Sequence, residues 1–203
     1  MAWEDVVVPL YGSRRLVTPW VPGLKPTEKQ AVPVAEAAAT LDTDLMLEGM
    51  QAVDLCGLSY GAVVATRLAA DFPERVRRLV LIAGMVRPPR ALMKLQLQML
   101  KMMPASRLAD SSVSKERLLR TLDIVREVDL TDALPRVTAP TLVLVGEKDK
   151  VNKPAAQALA SGISGAQLRE VPGAGQQVNV DQPRVLVEIL REFLGDGPGT
   201  AEA

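Results

Sequence analysis

Hydrophobic positions form short continuous runs that alternate with longer amphipathic segments. The continuous runs predict strands whose two faces are covered by helices, at 5–10, 31–34, 52–56, 78–82, 141–145 and 167–171. Helical spacing predicts helices at 40–50, 61–71, 154–161 and 183–194, the last capped by Asp181 with Pro183 in its first turn. This alternation predicts an α/β fold, a mostly parallel sheet with helices on both faces.

One stretch without strand signals, 85–134, interrupts the alternation. Its sequence RPPRALMKLQLQMLKMMP predicts a Met- and Leu-rich helix, and a second helix follows around 114–127. We interpret the stretch as a helical cap over the carboxyl edge of a sheet formed by 1–84 and 135–195. Met93 and Met99 either pack as ordinary core or form a deformable apolar roof over a ligand. The polar, Gly-rich tail 196–203 is predicted to be disordered.

Composition and charge exclude several classes of protein. A chain of 203 residues with 48% hydrophobic residues can bury one substantial core. Its 24 basic and 24 acidic side chains balance, which argues against a nucleic-acid partner. No secretory signal is visible. No apolar run reaches the roughly 18 residues that a membrane span needs, so no membrane span is expected. The single cysteine, Cys56, favours a cytoplasmic setting. With no histidine, one cysteine and no recognisable carboxylate cluster, no metal is expected, and no cofactor is expected either.

The sequence GLSYG at 57–61 lies between a predicted strand and a predicted helix. This context makes G-x-S-x-G a sharp turn that exposes a nucleophilic serine, here Ser59, at the top of the sheet. The backbone NH of Tyr60 and the positive end of the helix would then face an oxyanion. The alternative is a Gly-rich turn whose serine has no chemical role.

Together with two later segments, this turn makes the chain resemble the α/β-hydrolase family over nearly its whole length. In APTLVLVGEKDKVNKP the resemblance places the family's acid at Asp149, and in VPGAGQQVNVDQP it places the catalytic histidine at Gln176. The segment VVVPLYGS resembles the family's strand that ends in His-Gly, with Tyr11 in place of the histidine. By the same resemblance, Ser13 would supply a second oxyanion-hole NH.

The substitution at 176 removes the family's general base. Glutamine is neutral and cannot accept a proton from Ser59, and loss of the base costs about a millionfold in turnover in one serine protease. Asp149 and Tyr11 are the remaining candidate bases, although a carboxylate is ordinarily too weak a base near neutrality to activate a serine. Asp149 could instead anchor its loop through backbone NH groups. Cys56 is interpreted as a small buried apolar residue rather than a nucleophile.

Transfer from a thioester to a thiol needs no strong base. A thiol with a pKa of about 8.5 is already a few per cent thiolate near neutrality, whereas water must be activated before it attacks. The sequence therefore predicts an acyltransferase that uses Ser59 and an oxyanion hole. The chain also resembles small capped hydrolase-fold proteins of thiopeptide antibiotic pathways such as that of nosiheptide, which move an acyl group from a carrier-protein thioester to a peptide cysteine.

That resemblance implies an acyl carrier protein and a peptide or small-molecule acceptor as partners. Arg87, Arg90 and Lys94 would contact an acidic carrier, or they simply form a solvated face. The short region before Ser59 is expected to leave a sheet edge, which either a homodimer or a loop could cover.

Two other functions stay open at this point. A non-catalytic protein that binds a small apolar ligand would keep its function in Ser59→Ala. A hydrolase with an unrecognised base would show ester turnover that rises with pH. The fold by itself does not choose among these functions.

Overall fold

Four parallel strands form the sheet of the computed structural model, which describes residues 3–24, 32–88, 90–104 and 115–195. The strands lie in the order β1 (Val53–Leu58), β2 (Val76–Ile82), β3 (Thr141–Gly146) and β4 (Gln167–Val171). The helices are α1 (Glu4–Leu10), α2 (Val34–Leu47), α3 (Tyr60–Asp71), α4 (Arg90–Met102), α5 (Lys115–Arg126), α6 (Lys153–Gly162), α7 (Val178–Asp181) and α8 (Pro183–Leu194). The predicted α/β class with a parallel sheet is confirmed.

The sheet lies between two apolar layers because alternate strand residues face opposite sides. Leu79 and Leu81 of β2 pack with α2, α3 and α6 on one face. Val80 and Ile82 pack with α1 and α8 on the other. Among the described residues β1 has a strand neighbour on one side only. A homodimer through that edge stays a prediction.

The predicted strand at 5–10 is wrong, because these residues form helix α1. Val6 and Leu10 lie one helical turn apart and are both buried in the layer that contains α8. This packing outweighs the strand preference of the valine run. Glu4 and Asp5 also lie in the first turn, where acidic side chains favour a helix.

The predicted strand at 31–34 is also wrong in its described part. Val32 and Pro33 are irregular, and Val34 begins α2, which ends at Leu47 rather than at Met50. The buried face of α2 includes Ala37 and Ala38, which precede the predicted helix start at residue 40. Alanine is a strong helix former, so these residues let the helix begin earlier than predicted. Residue 31, Ser114 at the predicted start of the second cap helix, and the tail 196–203 lie outside the described residues.

The predicted cap by Asp181 is wrong as well. Asp181 is the last residue of α7, and its Oδ2 accepts a hydrogen bond from the NH of Gly175 at 2.7 Å. Gln182 occupies the N-cap position of α8 without a side-chain capping bond. The remaining predicted strands and helices are confirmed to within a few residues.

Two helices, α4 and α5, occupy the stretch between β2 and β3 that was predicted to form a cap, and they contact each other. The end of α5 and the chain after it return to the core, since Ile124 and Val128 are buried there and the NH of Leu130 donates to the carbonyl of Val86 at 3.0 Å. In the described ranges, no helix is long and apolar enough to cross a bilayer.

Candidate active site

Ser59 occupies the single-residue turn between β1 and α3. Its backbone has φ +53° and ψ −117°, a conformation that few residues other than glycine adopt and that costs about 1–3 kcal/mol. The Ser59 NH donates to the carbonyl of Ile82 at 2.8 Å, which fixes the turn to the end of β2. The half-buried serine therefore sits at the carboxyl edge of the sheet, as the G-x-S-x-G sequence predicts.

Gly57 makes this sharp turn possible. A Cβ atom at residue 57 would lie 2.5 Å from the carbonyl oxygen of Gly61 and 2.7 Å from the backbone nitrogen of Ala62. A Cβ at Gly61, by contrast, would meet nothing within 4 Å. The two glycines thus differ: Gly57 permits the strand and helix to approach, whereas Gly61 is not needed for space.

The first turn of α3 presents backbone NH groups beside Ser59. The NH groups of Ala62 and Val63 donate to the Ser59 carbonyl at 3.0 and 3.3 Å. The Tyr60 NH precedes this bonded turn, at the positive end of the helix, where NH groups have no partner within the helix. It is the donor best placed for an oxyanion on a group that reacts with Ser59.

The Tyr60 side chain turns away from solvent into the core, where it is 6% exposed. Burial raises the pKa of its phenol to about 12, so the hydroxyl stays protonated near neutrality. Among the described residues the hydroxyl has no hydrogen-bond partner. Tyr60 can therefore offer its NH to this site, where its role as an oxyanion donor stays a prediction, whereas its buried, protonated phenol does not serve as a base there.

The loops that carry Asp149 and Gln176 are in direct contact. They follow the neighbouring strands β3 and β4, whose last residues Gly146 and Val171 pair in register. The Lys148 NH donates to the carbonyl of Ala174 at 2.9 Å. A Cβ at Gly146 would collide with the carbonyl oxygen of Gly175, so the loops approach this closely only with glycine at 146.

Asp149 is buried, with 7% of its surface exposed. Its Oδ1 accepts the Asn152 backbone NH at 3.1 Å, and its Oδ2 accepts the Asn152 side-chain Nδ2 at 2.7 Å. These contacts anchor the loop that leads into α6 and give direct support to the anchoring role. Its role as the catalytic acid stays a prediction.

Gln176 lies exposed on a loop that is fixed at several points. Glu147 Oε2 accepts the Gly173 NH at 2.8 Å, and Asp181 Oδ2 accepts the Gly175 NH at 2.7 Å. Neither contact is visible in the sequence, where Asp181 instead suggests a helix cap. Glu147 stands two residues before Asp149 in the recognised segment, but nothing in the sequence shows that it reaches across to the next loop.

Ser13 and Tyr11 are not brought beside Ser59. Their neighbour Arg14 binds the carbonyl of Gly195, and its Nη1 lies 3.7 Å from the carboxylate of Asp54, the second residue of β1. Asp54 precedes Ser59 by five residues, about 16 Å along a strand. The Ser13 NH also donates to the Leu10 carbonyl at 3.4 Å. The placement of this segment near the start of β1 therefore does not support Ser13 as an oxyanion donor or Tyr11 as a base.

Comparison with known proteins identifies the family of this chain. The model of the alpha/beta hydrolase family matches residues 2–189. The chain belongs to that family. It is 26% identical over 205 residues to a pyrrolizixenacetamide deacetylase of Xenorhabdus hominickii, a match that covers 85% of this chain and 76% of the deacetylase.

A second relative of this hydrolase-family chain is much larger. The polyketide synthase ThaQ of Burkholderia thailandensis is 31% identical over 221 residues, which cover 90% of this chain and 10% of the synthase. Among solved structures, the enol-lactonase of Burkholderia xenovorans superimposes with a TM-score of 0.83 at 18% identity, covering 95% of this chain and 85% of the lactonase. That likeness concerns the fold alone.

Other candidate residues lie around this hydrolase core. Met93 is 8% exposed, whereas Met99 is 55% exposed, so the two cap methionines have different surroundings. The Arg87 Nε donates to Asp129 Oδ1 at 2.8 Å, and this bond holds the pKa of the Asp129 carboxyl well below its usual range. Arg90 begins α4, and its side chain lies outside the described part of the chain.

The cysteine of the hydrolase core lies on β1, three residues before Ser59. Burial raises the pKa of the Cys56 thiol to about 12, which leaves almost no thiolate near neutrality. The described residues contain no group of three potential metal-ligating side chains.

Proposed function

We propose that this hydrolase-family chain is an acyltransferase that moves an acyl group from a carrier-protein thioester to an acceptor thiol in specialised metabolite biosynthesis. One observation carries the proposal. The strained turn that presents Ser59 and the Tyr60 NH is intact, while the loop position of the family's base holds Gln176 in a chain without histidine. A site that can be acylated at Ser59 but has no general base favours an acceptor, such as a thiol, that ionises without one.

The proposed reaction has two balanced steps. Ser59 Oγ attacks the thioester carbonyl, the carbon–sulfur bond breaks, and the departing thiolate takes the serine proton, which makes the leaving group the base in place of the absent histidine. The acceptor thiol then loses its proton to solvent and its thiolate attacks the serine ester; a new carbon–sulfur bond forms as the carbon–oxygen bond breaks, and Oγ takes up a proton from solvent, which balances the one that the thiol released. Net transfer exchanges one thioester for another without oxidation or reduction.

In both steps the carbonyl oxygen becomes an oxyanion, which the Tyr60 NH and the positive end of α3 would stabilise. Water is a poor competitor for the serine ester because no histidine is present to remove its proton. The relative named as a polyketide synthase supports a setting in specialised metabolite biosynthesis.

Intact mass spectrometry tests this function. The purified chain is incubated with aryl and alkyl acyl thioesters, beside Ser59→Ala and, as a matched control, Ser164→Ala, which alters an exposed serine between α6 and β4. We expect a stable acyl adduct in the wild type and in Ser164→Ala, absent from Ser59→Ala, that is discharged by a thiol. An adduct that survives in Ser59→Ala, or no adduct in any form, contradicts the covalent route.

A second candidate is a hydrolase with a base other than histidine, and the relative named as a deacetylase favours it. Asp149 would then have to activate water, although both of its oxygens accept hydrogen bonds from Asn152. This candidate predicts multiple turnovers of an aryl ester in buffer without thiol. The transferase predicts turnover only when an acceptor thiol is present.

A further inference from the structure

A groove of about 920 Å³ lies at the cap, outside the turn that presents Ser59. One wall comes from α4 and another from the end of α5 and the residues that follow it. This volume is within the range of small-molecule sites, about 300–1,000 Å³. The groove is therefore large enough to hold a ligand of cofactor size.

The charges in the groove favour an anion. Four cations line it, Arg87, Lys94, Lys101 and Arg126, against the two carboxylates of Glu127 and Asp129. Lys94 and Lys101 lie seven residues apart on α4, which places them two turns apart on one face. Lys94 is exposed and has no carboxylate partner within the residues that the structure describes.

The two arginines of the groove are held in place by carboxylates. Arg87 Nε bonds Asp129 Oδ1 at 2.8 Å, and Arg126 Nε bonds Glu127 Oε1 at 2.9 Å. Such pairs at exposed positions are weak, so an incoming dianion can compete for the guanidinium groups. A phosphate would meet Lys94 as a point charge and Arg87 as a two-pronged donor.

Apolar surface continues the groove beside these cations: Leu97 of α4 is half-buried, and the mostly buried Pro88 and Val128 complete the lining. Both lie close to the place where the cap joins the core, since the Leu130 NH donates to the Val86 carbonyl. Val86 follows β2, whose last residue, Ile82, accepts the Ser59 NH at 2.8 Å. The groove is thus lined next to the junction that follows the carboxyl end of β2, and it suits an extended ligand with an anionic end and a less polar chain.

We propose that this groove binds the phosphate-bearing arm of a phosphopantetheine thioester, either free as coenzyme A or attached to a carrier protein. The proposal rests on the proposed acyl transfer, because this arm carries the thioesters that such a reaction uses. Lys94 and Arg87 bind the phosphate, and the apolar wall contacts the chain that leads toward Ser59. Asp129 limits the affinity for the phosphate because its carboxylate already bonds the Arg87 guanidinium.

Calorimetric titration tests the groove without any acyl chemistry. The probes are 4′-phosphopantetheine and pantetheine, which differ in the phosphate alone. The proteins are the wild type, Lys94→Gln, Asp129→Asn and Arg15→Gln, an exposed charge-matched control whose partner is Glu48. Thermal unfolding of each variant confirms that it is folded.

We expect phosphopantetheine to bind at least about tenfold more tightly than pantetheine, since charge-assisted hydrogen bonds are lost with the phosphate. Lys94→Gln should weaken phosphopantetheine binding severalfold, Arg15→Gln should leave it unchanged, and Asp129→Asn should tighten it. Equal binding of the two probes, no binding of either, or equal effects of Lys94→Gln and Arg15→Gln would overturn the proposal.

Two further comparisons show where the phosphopantetheine arm comes from and test the groove and the proposed reaction separately. Titration with coenzyme A and with holo and apo acyl carrier protein shows whether the free or the tethered arm binds, and either result supports the groove. Phosphate-dependent binding without a Ser59 adduct would retain the groove and reject the proposed reaction. A Ser59 adduct from simple alkyl thioesters without phosphate-dependent binding would retain the reaction and reject the groove.

Discussion

Asn152 donates two hydrogen bonds to the carboxylate of Asp149, from its backbone NH to Oδ1 at 3.1 Å and from its side-chain Nδ2 to Oδ2 at 2.7 Å. The carboxylate is buried, and both of its oxygens are bound within its own loop. Asp149 therefore stabilises the start of α6 whether or not it takes part in chemistry.

This contact predicts the stability of Asp149→Asn. The variant replaces an accepting oxygen with a donor that faces the Asn152 amide, so we expect the free energy of unfolding to fall by about 1–3 kcal/mol. Urea denaturation followed by circular dichroism measures the change, with the exposed Asp132→Asn as control. Unchanged stability in Asp149→Asn would show that the loop does not depend on these bonds.

The two glycines of the turn should respond differently to alanine. Gly57→Ala drives a Cβ into the backbone of Gly61 and Ala62, so we expect the turn to open, with lost stability and no acyl adduct on Ser59. Gly61→Ala has open space and lies in a helix, where alanine is favoured by up to about 1 kcal/mol. Thermal unfolding and intact mass compare the pair; equal losses in both variants would contradict the steric argument.

Introducing an imidazole at position 176 should create ester hydrolysis. Gln176 is exposed on a loop fixed by Glu147 and Asp181, so Gln176→His should fold and add a base with a pKa near its ordinary value of about 6.5. We expect hydrolysis of aryl esters to appear and to rise as pH passes through that value, because only the neutral imidazole accepts a proton. Gln177→His, one residue further along the same loop, is the control.

An equal gain in both histidine variants would mean that the imidazole acts from solution and not from a positioned site. No gain in either would mean that the loop does not aim residue 176 at Ser59. A gain in Gln176→His alone, abolished by Ser59→Ala, would place the two residues in one catalytic unit.

Cys56 should resist alkylation in the folded protein. Cys56 is partly buried, and burial raises the pKa of its thiol to about 12, so iodoacetamide should react with it far more slowly in the folded protein than in urea. The unfolded thiol ionises near its ordinary pKa, while the folded thiol keeps its proton. Stability should therefore fall as pH rises above about 8.5, because the unfolded state binds fewer protons there. Rapid labelling without urea would contradict this burial.

The sequence by itself determined the strand-turn-helix at Ser59 and the later strands, because these depend on local patterns. Glycine at 57, the β-branched runs of β2 and β3, and the helical spacing of α8 each indicate their structure without knowledge of distant contacts. The absence of histidine, which shapes the proposed reaction, is also a property of the sequence alone.

Only the tertiary structure decided the amino-terminal elements and the surroundings of the site. The valines of α1 favour a strand locally, but Val6 and Leu10 are buried against α8, and this distant packing makes them helical. Asp181 likewise resembles a helix cap in sequence, yet its carboxylate accepts the NH of Gly175. Contacts between segments far apart or folded back on themselves leave no periodic pattern in the sequence, so only the folded chain reveals them.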